Sequence, residues 1–151
     1  MIEVDSLCKN FGSRQAISNV TFSIKQGEVI GLLGLNGAGK STILKVLGCF
    51  LLPSSGSARV AGFSVDNDPH EVRRRIGYLP DTPPLYDEMT VDSYLRFVAN
   101  LKDVPSHEVT HAVSVAIGKT NLQEVANVAV GELSHGFRQR VGIAQALVHN
   151  P

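Results

Sequence analysis

The sequence of 151 residues has no tryptophan, two cysteines, two methionines and no surplus of either charge. Each shortage excludes something. Lys plus Arg number 14, as do Asp plus Glu, which argues against a basic nucleic-acid-binding arm or a cationic membrane-surface helix. No nucleic-acid partner is expected. Two cysteines, Cys8 and Cys49, each with apolar neighbours, are too few for a disulfide scaffold. They read as small buried hydrophobes in a reducing compartment. The most apolar window, residues 43–52, is interrupted by Lys45, and a bilayer-spanning helix takes about 20 residues. At the N-terminus, MIEVDSLCKNFG places acids where a secretory leader carries basic and then apolar residues. The expectation is a soluble cytoplasmic protein. What remains is a globular mixture, 43% hydrophobic and 19% charged, with the length of one ordinary domain of roughly 100–200 residues.

Apolar periodicity then predicts the elements. Residues 2–8 and 16–24 read as two antiparallel strands, with Gln26-Gly27 closing the second. Residues 28–33, EVIGLL, form a short continuous apolar run, the pattern of a strand buried on both faces. Helical spacing covers residues 40–50, and a turn over 53–56 leads into a strand over 57–65. A short helix is expected over 69–75, a short strand ending at Pro80, and a proline-containing loop over 81–88. Helices follow over 90–102 and 106–117, with Thr90 and Ser106 as N-caps, then an irregular stretch over 119–135 and a last helix over 137–149. The sum is an α/β fold with an antiparallel lead-in and a helical insertion.

Two motifs carry chemistry. Gly34-Leu35-Asn36-Gly37-Ala38-Gly39-Lys40-Ser41-Thr42 fits G-x-x-x-x-G-K-[ST] at every fixed position. Its glycines let consecutive backbone N–H groups turn inward on phosphate oxygens. Lys40 offers a cation to the β- and γ-phosphates, Ser41 a hydroxyl to Mg²⁺, and the helix beginning there adds roughly half a positive charge. The second motif, His107-Glu108-Val109-Thr110-His111, fits H-E-x-x-H, a zinc-hydrolase signature that also needs a third ligand and an open coordination position. Context separates the two. The phosphate loop has an apolar strand pattern before it and an amphipathic helix pattern after it, whereas residues 107–111 read as a solvated helix face.

With these landmarks, the whole chain resembles the ATP-binding subunit of ABC transporters, a P-loop NTPase fold. Phe11, 29 residues before Lys40, is similar to the family's aromatic loop, whose ring stacks on adenine. Ile76-Gly77-Tyr78-Leu79-Pro80-Asp81 stands where the family's Q-loop presents a glutamine to Mg²⁺. Here the position is Asp81, a carboxylate that still suits Mg²⁺ but reaches less far. With Pro83-Pro84-Leu85-Tyr86 and Met89-Thr90-Val91 it resembles a branch of exporters. Leu133-Ser134-His135-Gly136-Phe137 aligns with the signature LSGGQ, His135 and Phe137 replacing Gly and Gln. In the family, that signature closes over ATP held by a second subunit, so Ser134 and Gly136 would act in trans; without the resemblance, Ser134 reads as a helix cap.

The resemblance implies ATP and Mg²⁺ as cofactors, and a second ATP-binding subunit and membrane-spanning subunits as partners. It places the assembled protein at the inner face of the membrane. It divides the chain into an ATP-binding core (1–81), a helical subdomain (82–135) and the signature helix (136–151). It also implies a family Asp and Glu at the end of a later strand, and no such pair follows an apolar strand within these residues. The expectation is therefore an ABC-type core incomplete at its C-terminus, which binds ATP without turning it over. A non-hydrolysing nucleotide-binding module and a soluble ABC-type ATPase without a membrane partner stay open beside it.

Overall fold

Strand β1 (Ile2–Phe11) buries Val4 and Leu7, three residues apart, where strict alternation would put them on opposite faces. Between them Ser6 takes φ 50°, and the register with β2 (Arg14–Ile24) shifts there. This bulge resets the pleat and returns Leu7 to the core. Along β2, Asn19 takes φ 46°, and Val20, Phe22 and Ile24 then turn inward. The computed structural model describes all 151 residues and pairs β1 antiparallel with both β2 and β3 (Ser55–Val60). With β4 (Phe63–Ser64) the sheet order is β2-β1-β3-β4. Gly56 is obligatory in β3, since a Cβ there would stand 2.2 Å from the Ser6 carbonyl oxygen.

Helix α1 (Lys40–Leu47) lays Ile43, Val46 and Leu47 against this sheet. It ends at Gly48, and Cys49 follows at φ 58°. The cysteines are free and half-buried rather than fully buried. Burial pushes the Cys49 thiol pKa up, which makes it a poor nucleophile.

Three strand expectations need correction. Residues 28–33 are unpaired and largely exposed, with Val29 at 98% and Leu33 at 92%. No strand within the 151 residues offers its edge to that run, so apolar character alone does not bury it. The segment over 57–65 is a hairpin, because Ala61 (φ 51°) and Gly62 turn the chain between β3 and β4. Residues 76–80 likewise form no strand.

The chain divides into two units, Met1–Arg73 and Arg74–Pro151, with α2 (Pro69–Arg75) running across the division. The second unit is helical. In α3 (Val91–Leu101), Val91, Tyr94, Leu95, Val98 and Ala99 follow the 3.6-residue period and are all buried. Thr90 caps it as expected, its Oγ1 accepting from the Ser93 N–H at 3.2 Å. Helix α4 (Val109–Thr120) begins three residues after Ser106, with Glu108 at its N-cap position and no side-chain cap. Ser106 is therefore not the cap, because residues 106–108 form a turn of their own. Single 3₁₀ turns at Gln123–Val125 and Val130–Glu132 bridge to α5 (His135–Leu147). Val113, Ala116, Leu122, Val130, Val141 and Ala144 join the α3 residues in one continuous core.

Candidate phosphate-binding site

The first unit presents the loop of residues 34–39 at the N-terminus of α1. The Ala38 N–H donates to the Leu35 carbonyl at 3.1 Å, and the Ile43 N–H to the Gly39 carbonyl at 2.9 Å, which starts the helix. Lys40, Ser41 and Thr42 occupy its first turn, where backbone N–H groups have no helical acceptor. Gly39 stands at φ 88°, and a Cβ there would lie 2.5 Å from the Ala16 carbonyl oxygen. Only glycine lets the loop settle on the backbone of β2.

Lys40 folds across this cradle. Its Nζ donates to the Gly34 carbonyl at 2.7 Å and to the Leu35 carbonyl at 2.8 Å, leaving one of three ammonium protons for an anion. The cavity in front of it has a volume of about 400 Å³ and is lined by Phe11, Arg14, Ala16, Asn36, Gly37, Gly39, Lys40, Ser41 and Thr42. Gly34 and Ala38 shape the loop behind that lining, with the Gly34 carbonyl holding Lys40. Phe11 is half exposed. The Lys9 ammonium lies 5.2 Å from its ring centroid and is itself tied to the Leu52 carbonyl at 2.8 Å.

Arg14 and Ala16 escaped the sequence reading. A signal for Arg14 was present: Phe11 and Arg14 flank Gly12-Ser13 and pair across the hairpin end. A turn that presents one to the cavity presents the other.

The remaining site residues belong to the second unit. Ser134 caps α5, its Oγ accepting from the Phe137 N–H at 3.4 Å. Gly136, in the first turn, has open space where a side chain would stand. Just beyond, Arg138 Nη1 donates to Asp87 Oδ1 at 2.7 Å and to the Val130 carbonyl at 3.1 Å. Arg140 lies over the Phe137 ring, 5.2 Å from its centroid. Asp81 is exposed, and its backbone carbonyl accepts from Gln139 Nε2 at 3.3 Å. The proline loop is held by Tyr94, whose hydroxyl reaches the Pro84 carbonyl at 3.2 Å and also Gln145 Oε1. Burial first, and then Tyr86, push the Tyr94 pKa up to about 12.

His107 lies before α4 begins, its side chain is 81% exposed, and it faces Glu108 at 3.5 Å. Only Val109, Thr110 and His111 of the H-E-x-x-H match lie in α4, with His107 and Glu108 in the turn before it, so the helix-face expectation is met in part, and both histidines are exposed. No group of three His, Cys, Asp or Glu side chains in the structure is placed to hold a metal ion.

The fold and the loop geometry agree with the sequence comparisons. The profile described as ABC transporter matches residues 17–151. The chain belongs to the ABC transporter family. It is 36% identical over its full length to the uncharacterized ABC transporter ATP-binding protein YxlF of Bacillus subtilis, covering 50% of that protein. It is 39% identical to the probable multidrug ABC transporter ATP-binding protein YbhF of Escherichia coli, covering 100% of this chain and 26% of that one. The chain thus spans half or less of the length of these relatives. Among solved structures, an ATP-binding subunit of an ABC transporter superimposes with a TM-score of 0.89 at 30% identity, over 99% of this chain and 62% of that one. A dimeric bacterial ABC transporter cassette, MJ0796, follows at a TM-score of 0.87 and 29% identity, over 100% and 71%. The antiparallel sheet and helices are accordingly those of an α/β P-loop NTPase core.

Proposed function

We propose that this chain is the nucleotide-binding part of an ABC transporter ATP-binding subunit. The observation that carries the reading is the cavity itself. A glycine loop packed on β2, a lysine drawn across its mouth and a helix N-terminus all converge on one space. Phosphate is the ligand class those groups suit. The backbone N–H groups and the helix dipole accept negative charge, and Lys40 supplies a point cation. Phe11, at the cavity rim, offers an aromatic face to adenine. Gly34, Asn36, Gly37, Ala38 and Gly39 shape the cradle, and Ser41 and Thr42 put hydroxyls at the base.

Ser41 fits Mg²⁺, a hard cation that takes oxygen ligands; Asp81, in the second unit, is a carboxylate of the same donor class, and a part for it in holding the ion rests on the family resemblance alone. Such an ion would offset phosphate negative charge. Ser134 and Gly136, at the start of α5, are assigned to the nucleotide of a second subunit. The related cassette MJ0796 was solved as a dimer, and in a further structure with ADP and Pi.

The complete protein would work with membrane-spanning subunits at the cytoplasmic face, coupling ATP binding and hydrolysis to export. Relatives named for multidrug and bacitracin transport support a transport role, and one named for Nod factor export supports that direction. No helix of this chain is long and apolar enough to cross a membrane. Within residues 1–151 no Asp-Glu pair follows an apolar strand, and the positioned base that activates water typically contributes about 10²–10⁴-fold. The 151-residue chain should therefore bind Mg·ATP without sustained turnover. Equilibrium dialysis with labelled ATP, alongside steady-state phosphate release, tests both halves. The reading predicts saturable ATP binding and no phosphate release above background. Saturable binding that survives Lys40→Ala, or phosphate release abolished by that substitution, would overturn it.

A further inference from the structure

Among the cations around the cavity, Arg14 stands apart. Lys9, beside Phe11, is tied to the Leu52 carbonyl, and Lys40 to two loop carbonyls. Arg14 lines the cavity and has no hydrogen bond or ion pair within the chain. Its position is fixed by the hairpin, since Arg14 pairs with Phe11 at the last register position of β1 and β2. One guanidinium nitrogen lies 3.9 Å from where a Cβ on Gly37 would stand, against the middle of the phosphate loop. A single hairpin end thus carries an aromatic face and, beside it, an unengaged planar cation aimed at the loop.

We propose that Arg14 is a nucleotide-binding residue that contacts the polyphosphate of a nucleoside di- or triphosphate. The proposal rests on the reading of this cavity as a nucleotide site and adds a second cation to it. A guanidinium presents paired N–H donors that match two phosphate oxygens at once, which an ammonium cannot do. Lys40 approaches the anion from the loop side, and Arg14 from the hairpin side. Between them they would set the polyphosphate in line with the Phe11 ring. Arg14 is exposed, so its replacement leaves the sheet intact.

The test is binding of trinitrophenyl derivatives of ATP, ADP and adenosine to the wild-type chain, Arg14→Gln, Arg14→Lys and Lys40→Ala, with inorganic phosphate as competitor. Circular dichroism melting checks each variant's fold. Arg14→Gln should weaken the ATP and ADP derivatives about tenfold or more, the scale of a charge-assisted hydrogen bond. It should leave the adenosine derivative unchanged, and Arg14→Lys should recover part of the loss. Unchanged ATP affinity in Arg14→Gln, with Lys40→Ala still impaired, overturns the Arg14 assignment alone. Equal proportional losses for ATP and adenosine would make Arg14 a support for the hairpin and overturn it too. Inorganic phosphate competing as well as ATP, in an Arg14-dependent way, would make the ligand free phosphate and contradict the nucleotide contact. Absence of ATP-derivative binding to wild type overturns the nucleotide reading and this inference together.

Discussion

In Arg74–Pro151, residues from α3, α4 and α5 bury one another in a continuous apolar core, and Leu95, Leu122 and Val141 are fully enclosed. In Met1–Arg73, Val4, Leu7 and Ile17 are buried within a four-stranded sheet, yet Val29, Leu33 and Leu35 stand almost wholly in solvent. The helical unit satisfies its apolar residues locally. Contacts at i, i+3 and i+4, plus short turns, suffice to bring three helices together. A buried strand has no such local solution. Residues 28–33 need neighbouring strand edges on both sides, and their sequence carries apolar character without supplying those edges. The phosphate cradle sits directly after this uncovered run, so the unit that binds is the less enclosed of the two.

That contrast can be broken at several points. Leu95→Ala, in the enclosed unit, should cost about 2–5 kcal/mol of stability, the usual range for a buried leucine leaving a cavity. Urea denaturation followed at the α-helical circular dichroism band reads this, and a cost below the noise would deny the helical unit its core. Gly39→Ala, in the open unit, forces a left-handed residue at about 1–2 kcal/mol and drives a methyl group into the Ala16 carbonyl. It should abolish ATP binding while leaving the helical unit's amide protection unchanged. Wild-type ATP affinity in that variant would show that the loop does not rest on β2. Ser134→Ala removes the α5 cap, and at 3.4 Å the loss should sit near or below the usual ~1 kcal/mol; a shift in denaturation midpoint reads it. Leu33→Ser should change stability least, within about 0.5 kcal/mol. A large destabilisation there would mean that the 28–33 run is buried in solution after all.

A further effect concerns pH. His149 Nε2–H donates to the Ile76 carbonyl, 2.9 Å away, while its Nδ1 is buried with no partner. Burial foremost, then the Lys102 charge, lower its pKa from the ordinary 6.5, against an opposing pull from the Ile76 hydrogen bond. Arg74, Lys102, Asp103 and Glu108 line the same recess. A depressed folded pKa means that the unfolded chain binds the proton more readily. The His149 contribution is therefore whole above 6.5 and is lost as pH falls through the folded value. His149→Gln should flatten the acid side of the melting profile, and an unaltered profile would remove His149 from it.

Much of the site was legible because its chemistry is local. The glycines, Lys40 and Ser41 are contiguous in sequence, and the helix they open follows at once. Thr90 announced its own helix for the same reason. The exposure of residues 28–33 was not legible, since burial depends on partners that spacing cannot reveal. The break at Ala61-Gly62 was hidden by apolar residues on either side that read as one run. Arg14 was missed because its relation to the phosphate loop runs through hairpin register, which is fixed only when β1 and β2 pair. Resemblance to the ABC family supplied the roles assigned to Phe11, Asp81, Ser134 and Gly136, which no local pattern would have linked to a phosphate loop.

Amide hydrogen exchange of the wild-type chain and Lys40→Ala, each with and without Mg·ATP, tests the nucleotide reading most directly. Without nucleotide, the amides of residues 29–34, which make no backbone hydrogen bonds, should exchange at once while those of α3 and α5 stay protected. Adding Mg·ATP should slow exchange over residues 34–42 and at the Phe11 hairpin in wild type, and not in Lys40→Ala. Unchanged exchange over residues 34–42, or the same slowing in both proteins, would contradict a nucleotide site built on this loop.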